Sequence, residues 1–153
     1  MRLLFSEEEE AVVRDEIRQA ERDTTGEIRI YVENKCDIDP AERCLFLFGK
    51  YKLYNTMQHN AVLLYIAVNS RVFYVMGDEG IHRLAGQEIW NQVTHDIRTA
   101  FSAGMYLEGI RNAIRHIGVK LKHFFPVSGS ESMNELPDDI IYSEDEELFS
   151  EED

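Results

Sequence analysis

Three short stretches of this chain carry the groups through which it could do chemistry. Glu27 follows Thr25-Gly26, Asn60 follows His59, and Asp78 and Glu79 stand between Gly77 and Gly80. Carboxylate and amide oxygens of this kind suit a hard cation such as calcium or magnesium. With Glu27, Asn60, Asp78 and Glu79 as ligands, a bound water could attack phosphorus, and Asp78 and Glu79 would be the catalytic pair. The exposed amides after Gly77, opening a short helix near Ile81-His82, could equally hold an anion. In the blander alternative the two glycines serve a tight turn and the acids cap the helix. His59 and His82 beside Asp78 and Glu79 also suit zinc or iron, although their spacing matches no recognised ligand pattern.

A second group lies elsewhere in the chain: Asn34, Cys36, Asp37, Asp39 and Asn69. Asp37-Ile38-Asp39 superficially resembles the nucleophile loop of aspartate-dependent phosphohydrolases. Helix capping explains it better, because Pro40 follows and polar Asn34-Lys35-Cys36 precedes. Cys36 stands seven residues before Arg43, one too many for the C-x5-R loop of cysteine phosphatases. There is no Walker loop, no G-x-S-x-G elbow, no H-E-x-x-H and no EF-hand loop.

The elements that must position these groups are legible from periodicity. Ser6 and Glu9 form a capping box, and Val13, Ile17 and Ala20 recur at helical spacing until Thr24-Thr25-Gly26. Ile28, Ile30 and Val32 alternate with Arg29, Tyr31 and Glu33, the period of a half-exposed strand. Asp39-Pro40 opens a second helix, with Cys44, Leu45, Phe48 and Tyr51 on its apolar face. Ala61 to Val68 is continuously apolar, as in a strand buried on both faces. Asn69-Ser70 turns it into the run from Arg71 to Met76. One helix carries Ile89, Val93, Ile97, Ala100 and Phe101, and Gly104 breaks it. A last helix carries Tyr106, Ile110, Ala113, Ile114, Ile117 and Leu121.

The order α-β-α-β-β-α-α predicts parallel first and second strands with an antiparallel third. Four helices covering both faces of that small mixed sheet make a three-layer α/β/α sandwich. The first two strands begin, and the third ends, at one rim. That brings Gly26, Glu27, His59, Asn60, Gly77 to Gly80 and His82 together. Asn34 and Asn69 fall at the opposite rim, where parallel sheets often bind ligands.

Length and charge bound the rest. The 153 residues, 44% of them hydrophobic, suit one domain over residues 1–125. The net charge of −13 is unevenly placed. From Phe124 onward there are 11 acidic residues and no Lys or Arg, so the preceding body holds 18 acids against 16 bases. Residues 126–153 read as an acidic, disordered tail. Its Ile140-Ile141-Tyr142 and Leu148-Phe149 could dock on a partner or fold back on the domain. Without a basic stripe, nucleic acid is not an expected partner. No apolar run is long enough for a membrane span, and Met1 to Phe5 is too short for a signal peptide, so the expected location is cytoplasmic. Cys36 and Cys44 are expected to be free thiols.

Several of these segments together resemble the TPM domain, named for a thylakoid-lumen protein, a photosystem II repair protein and a nematode receptor modulator. The resemblance runs from Phe5-Ser6-x-x-Glu9-Glu10 through Glu21 and Thr25-Gly26-Glu27-Ile28 to Asn60-Ala61-Val62-Leu63-Leu64. It continues in Arg71-Val72-Phe73-Tyr74-Val75, Gly77 and Gly80-Ile81. It closes with Phe101-x-x-Gly104-x-Tyr106-x-x-Gly109-Ile110. Asn134-Glu135-Leu136-Pro137-Asp138 is similar to the ending of a short bacterial version. The resemblance implies an α/β/α sandwich, divalent-cation binding at sheet-edge loops and, for some plant members, acid phosphatase activity; other members act as assembly or regulatory modules. The positions matching its motif are Gly26, Asn60, Gly77, Gly80 and Ile81. Two departures each remove a carboxylate: His59 precedes the asparagine, and Leu84-Ala85-Gly86-Gln87 follows the glycine turn.

Two functions follow as expectations. The first is a non-catalytic module whose rim binds a protein partner or a loosely held cation. The second is a calcium- or magnesium-assisted phosphatase, for which the rim offers no close Lys or Arg except Arg83.

Overall fold

The computed structural model describes residues 4–127 and 140–143. Helix α1 (Glu7–Glu21) opens on the expected capping box: the Ser6 hydroxyl accepts from the Glu9 N–H at 3.1 Å, and the Glu9 carboxylate accepts from the Ser6 N–H at 2.9 Å. Its buried residues include Val13, Ile17 and Ala20. Strand β1 (Glu27–Glu33), helix α2 (Pro40–Lys50) and strand β2 (Ala61–Ala67) form a crossover unit, with β1 and β2 parallel from Glu27↔Ala61 to Glu33↔Ala67. Strand β3 (Val72–Gly77) returns antiparallel to β2, pairing Gly77 with Val62.

The sequence's third helix is two helices. Gly86, at φ 78°, ends α3 (Glu79–Ala85), and a 3-10 turn over Glu88–Trp90 leads into α4 (Asn91–Ser102). A backbone of that sign is open to glycine without a Cβ clash. Helix α5 (Tyr106–Phe124) closes the bundle, so the domain has five helices where the pattern predicts four.

A further difference concerns the tail. Ile140–Tyr142 forms a short strand, β4, parallel to β1 with Ile30↔Ile140 and Val32↔Tyr142. The fold therefore uses residues beyond the expected boundary at 125. Ile140 is buried, and the Tyr142 hydroxyl donates to the Glu10 carboxylate at 2.6 Å. The sheet order is β3-β2-β1-β4. Leu148-Phe149, also expected to dock, and Asn134 to Asp138 lie outside the described residues.

This order explains a second correction. The period of β1 predicts a half-exposed strand, yet all seven of its residues are buried. It is a central strand with helices on both faces. One face of the sheet (Ile28, Ile30, Val32, Val62, Leu64, Ile66, Phe73 and Val75) packs against α1, α4 and α5. The other face (Tyr31, Ala61, Leu63, Tyr65 and Ala67) packs against α2 through Cys44, Leu47 and Phe48. These are the three layers predicted, an open α/β arrangement. Each large apolar side chain so enclosed stabilises the fold by about 1.5–3 kcal/mol relative to exposure. Helix α2 is turned from its expected face: Leu47 is buried, while Leu45 is 64% exposed.

Candidate functional site

The rim where β1 and β2 begin and β3 ends does bring the three loops together. The Asn60 side-chain amide donates to the Thr25 hydroxyl at 3.0 Å, joining the first loop to the second. The Asp78 N–H donates to the Ala61 carbonyl and the Gly80 N–H to the His59 carbonyl, both at 2.8 Å, joining the second to the third. Gly80 is required by this approach: a Cβ there would lie 2.3 Å from the Gln58 carbonyl oxygen and 2.6 Å from that of His59. His59 sits at φ 50°, a left-handed backbone that aims its carbonyl at the helix start.

The base of the rim is tied to α5. The Thr24 hydroxyl lies within hydrogen-bond distance of the Leu121 and Phe125 carbonyls, at 3.1 and 2.7 Å, and the Gly26 N–H donates to it at 3.1 Å. Gly26 faces Leu121, whose Cδ2 would stand 2.7 Å from an added Cβ.

The carboxylates at this rim are committed to protein partners. Glu27 is buried and accepts from the Arg29 guanidinium at 2.9 Å. Arg29, fully buried, also donates to Glu21 at 2.8 Å, and the same Glu21 oxygen accepts the Ile28 N–H at 2.8 Å. Burial outweighs these attractions and pushes the Glu21 carboxyl above its ordinary value. Asp78 caps α3, its Oδ1 accepting from the Glu79 N–H at 2.7 Å. Its Oδ2 accepts no hydrogen bond and lies 3.4 Å from His59 Nδ1. Glu79 is exposed and pairs with Arg83 at 2.5 Å. The Asn60 carbonyl oxygen takes a 3.4 Å contact from the Thr56 hydroxyl.

A calcium or magnesium site needs several oxygens converging without cationic partners. Glu27 turns toward Arg29 and Glu79 toward Arg83, so an ion shared by Glu27, Asn60, Asp78 and Glu79 would have to draw both carboxylates away from their arginines. Among the described residues no group of three or more His, Cys, Asp or Glu is placed to hold a metal. His82 belongs to another feature. With Leu45, Phe48, Tyr54, Tyr74 and Met76 it lines a groove of about 690 Å³ between α2, β3 and α3, whose wall includes Gly77, Asp78 and Glu79 where β3 ends.

The opposite end holds a polar network that periodicity did not single out. Glu33 accepts from Arg43 Nε at 2.9 Å and Nη2 at 2.8 Å, and from the Tyr65 hydroxyl. The hydrogen bonds with Glu33 hold Arg43 above the usual arginine range, and burial pushes the Tyr31 phenol up to about 12. Its only sequence signal is one tyrosine inside the apolar run of β2, on the face of the polar residues of β1. Asp39 caps α2 by accepting from the Glu42 N–H at 3.3 Å, as capping predicts. Cys36 and Cys44 are both free.

Comparison with known proteins places the chain. A solution structure of the BA42 protein from the psychrophilic bacterium Bizionia argentinensis matches with a TM-score of 0.84 and 32% identity, covering 94% of this chain and 98% of that one. The N-terminal domain of a protein from P. gingivalis shares the fold, with a TM-score of 0.66 at 18% identity over 82% of this chain and 83% of that one. No curated protein sequence matches. No helix among the described residues is long and apolar enough to cross a membrane. The sequence model of the TPM domain matches residues 2–120, and the chain belongs to the TPM domain family.

Proposed function

We propose that this TPM-domain protein is a binding module, and that its contact surface is the groove beside α2 and α3. The observation that carries this reading is Leu45. It stands at a position whose spacing predicts burial, yet it is 64% exposed on the wall of an apolar groove. Tyr54, on the same groove, is also exposed, at 48%. Apolar side chains gathered in this way mark contact surfaces more often than solvated ones. The side chain of Gln87 donates to the Val75 carbonyl at 2.6 Å and covers part of the outer edge of β3, so strand addition there is obstructed. The occupant is instead a segment of another polypeptide with large apolar side chains for the groove and a Lys or Arg toward Asp78 and Glu79.

A peptide library selected in parallel on the wild-type chain and on Leu45→Glu tests this. Sequences pairing apolar residues with Lys or Arg should be enriched on the wild type alone. Equal recovery on both proteins would remove the reading.

The second reading is the calcium- or magnesium-assisted phosphatase. One observation favours it: Asp78 Oδ2 is buried without a hydrogen bond at the end of the same groove. Under that reading Asp78→Asn abolishes phosphate-ester turnover and leaves the fold intact. Under the module reading, turnover stays at the level of a buffer control with either ion.

A further inference from the structure

Strand β4 delivers the chain to one end of the sheet and releases it there. Tyr142 pairs with Val32, and the Ser143 N–H donates to the Val32 carbonyl at 3.2 Å. Val32 is level with Ile66 of β2, so β4 ends two strand spacings from β2, about 10 Å. Beyond Ser143, outside the described residues, the sequence reads Glu144-Asp145-Glu146-Glu147-Leu148-Phe149-Ser150-Glu151-Glu152-Asp153. Seven acids surround one apolar pair.

At the same end of the sheet, past the last residue of β2, lies an open cavity of about 500 Å³. Phe73, Phe101 and Tyr106 line it with Arg71, from the turn between β2 and β3, and Arg98, from α4; no Asp or Glu does. Phe101 packs edge-on against both Phe73 and Tyr106, with centroids 4.8 Å apart in each pair, so the aromatic wall is already built. The Arg98 guanidinium carbon lies 6.0 Å from the Phe73 ring centre, which places a cation beside that wall. Arg18 and Arg22 have no such setting. They stand where α1 runs into β1, at the opposite rim, and line no part of this cavity.

We propose that this cavity is the docking site of the chain's own residues 144–153, with Leu148 and Phe149 against the aromatic wall and the flanking acids toward Arg71 and Arg98. The length fits. Leu148 and Phe149 follow Ser143 by five and six residues. An extended chain of that length reaches about 17–21 Å, enough to cross two strand spacings and enter the cavity. Charge fits as well. Helix α1 begins beside the end of β4, where Tyr142 bonds to Glu10, and Glu7 to Glu10 repel the acids on that side. The acid-free cavity attracts them. Each arginine meets a different acid of an extended segment, so the two need not converge on one group. The tether raises the local concentration of the segment to about the millimolar range, so contacts too weak to hold a free peptide suffice. None of this depends on the groove at the other rim.

NMR of the full chain tests the docking. The wild type should show NOEs from the Phe149 ring to Phe101 or Tyr106. Replacing the apolar pair together, Leu148→Ser with Phe149→Ser, should shift the amide signals of Arg71, Phe73, Phe101 and Tyr106 and leave the rest of the spectrum in place. Arg98→Glu, at an exposed position of α4, should abolish the NOEs without disturbing the core signals. Cavity signals that ignore the double substitution would overturn the proposal, as would NOEs that persist in Arg98→Glu. So would shifts at Leu45 and Tyr54 in place of the cavity, or shifts that grow with protein concentration, which would put the segment on a second copy.

Discussion

The backbone N–H of Gly80 donates to the carbonyl oxygen of His59 across 2.8 Å, and this bond fastens the start of α3 to the start of β2. It needs a residue without a Cβ on one side and a left-handed backbone on the other. Gly80→Ala would put a methyl within 2.6 Å of that oxygen and 2.3 Å of the Gln58 oxygen. Both are main-chain atoms that cannot rotate away. The expected loss is about 1–3 kcal/mol, read from the urea midpoint. An unchanged midpoint would mean the two loops do not pack this closely.

Arg29 is the only cation contacting both Glu21 and Glu27 among the described ion pairs. Arg29→Met removes the guanidinium that both carboxylates contact beside a buried strand. We expect a loss of about 3–5 kcal/mol, the range for breaking a buried pair from one side. Replacing all three by apolar residues of similar volume should recover much of it; if the triple variant is no better than Arg29→Met, the network contributes specific geometry as well as charge.

Glu21 sets a pH dependence of definite sign. Its carboxyl is raised above 4.5 in the folded state, chiefly by burial, so the native protein binds the proton more tightly than the unfolded chain. That contribution is fully present below pH 4.5 and is lost as pH rises through the folded value. Relative to Glu21→Gln, the wild type should therefore lose stability as pH climbs from 4.5 upward. Parallel thermal melts over that range measure the difference, and a constant offset would contradict it.

Strand β4 covers the outer edge of β1 at Ile30 to Val32. A chain ending at residue 125 would bare that edge and expose β1 to pairing with another copy. We expect it to melt lower than the full chain and to self-associate in sedimentation experiments. Tyr142→Phe removes only the bond to Glu10 and should cost about 1 kcal/mol. A shortened chain that melts and sediments as the full one does would show β4 to be dispensable.

Calcium should bind the rim weakly. With Glu27 and Glu79 paired to arginines, the expected Kd is about 1 mM or above, as for loosely built oxygen sites. Amide shifts at Gly26, Asn60 and Gly77 to Gly80 during titration report it. A Kd tighter than about 100 µM would mean that the ion rearranges these side chains.

The sequence by itself determined most of the elements and the meeting of the three loops. Val13, Ile17 and Ala20 on α1, and the uninterrupted apolar run of β2, are local patterns that any burial would respect. The crossover from β1 through α2 to β2 and the Asn69-Ser70 hairpin leave one common rim, so Asn60 and Asp78 had to become neighbours. Which side chains the groups at that rim pair with was decided only by the tertiary structure. Glu27 reads as a free ligand until Arg29, two residues on, is found buried beside it. Arg29 is buried because β1 is central, and β1 is central because Ile140–Tyr142 returns from a segment whose composition predicts disorder. Leu45 and Leu47 are equally apolar, and only the angle at which α2 meets the sheet decided which one is enclosed. Strand neighbours, helix rotation and long-range ion pairs depend on contacts between distant residues, and local periodicity carries no record of them.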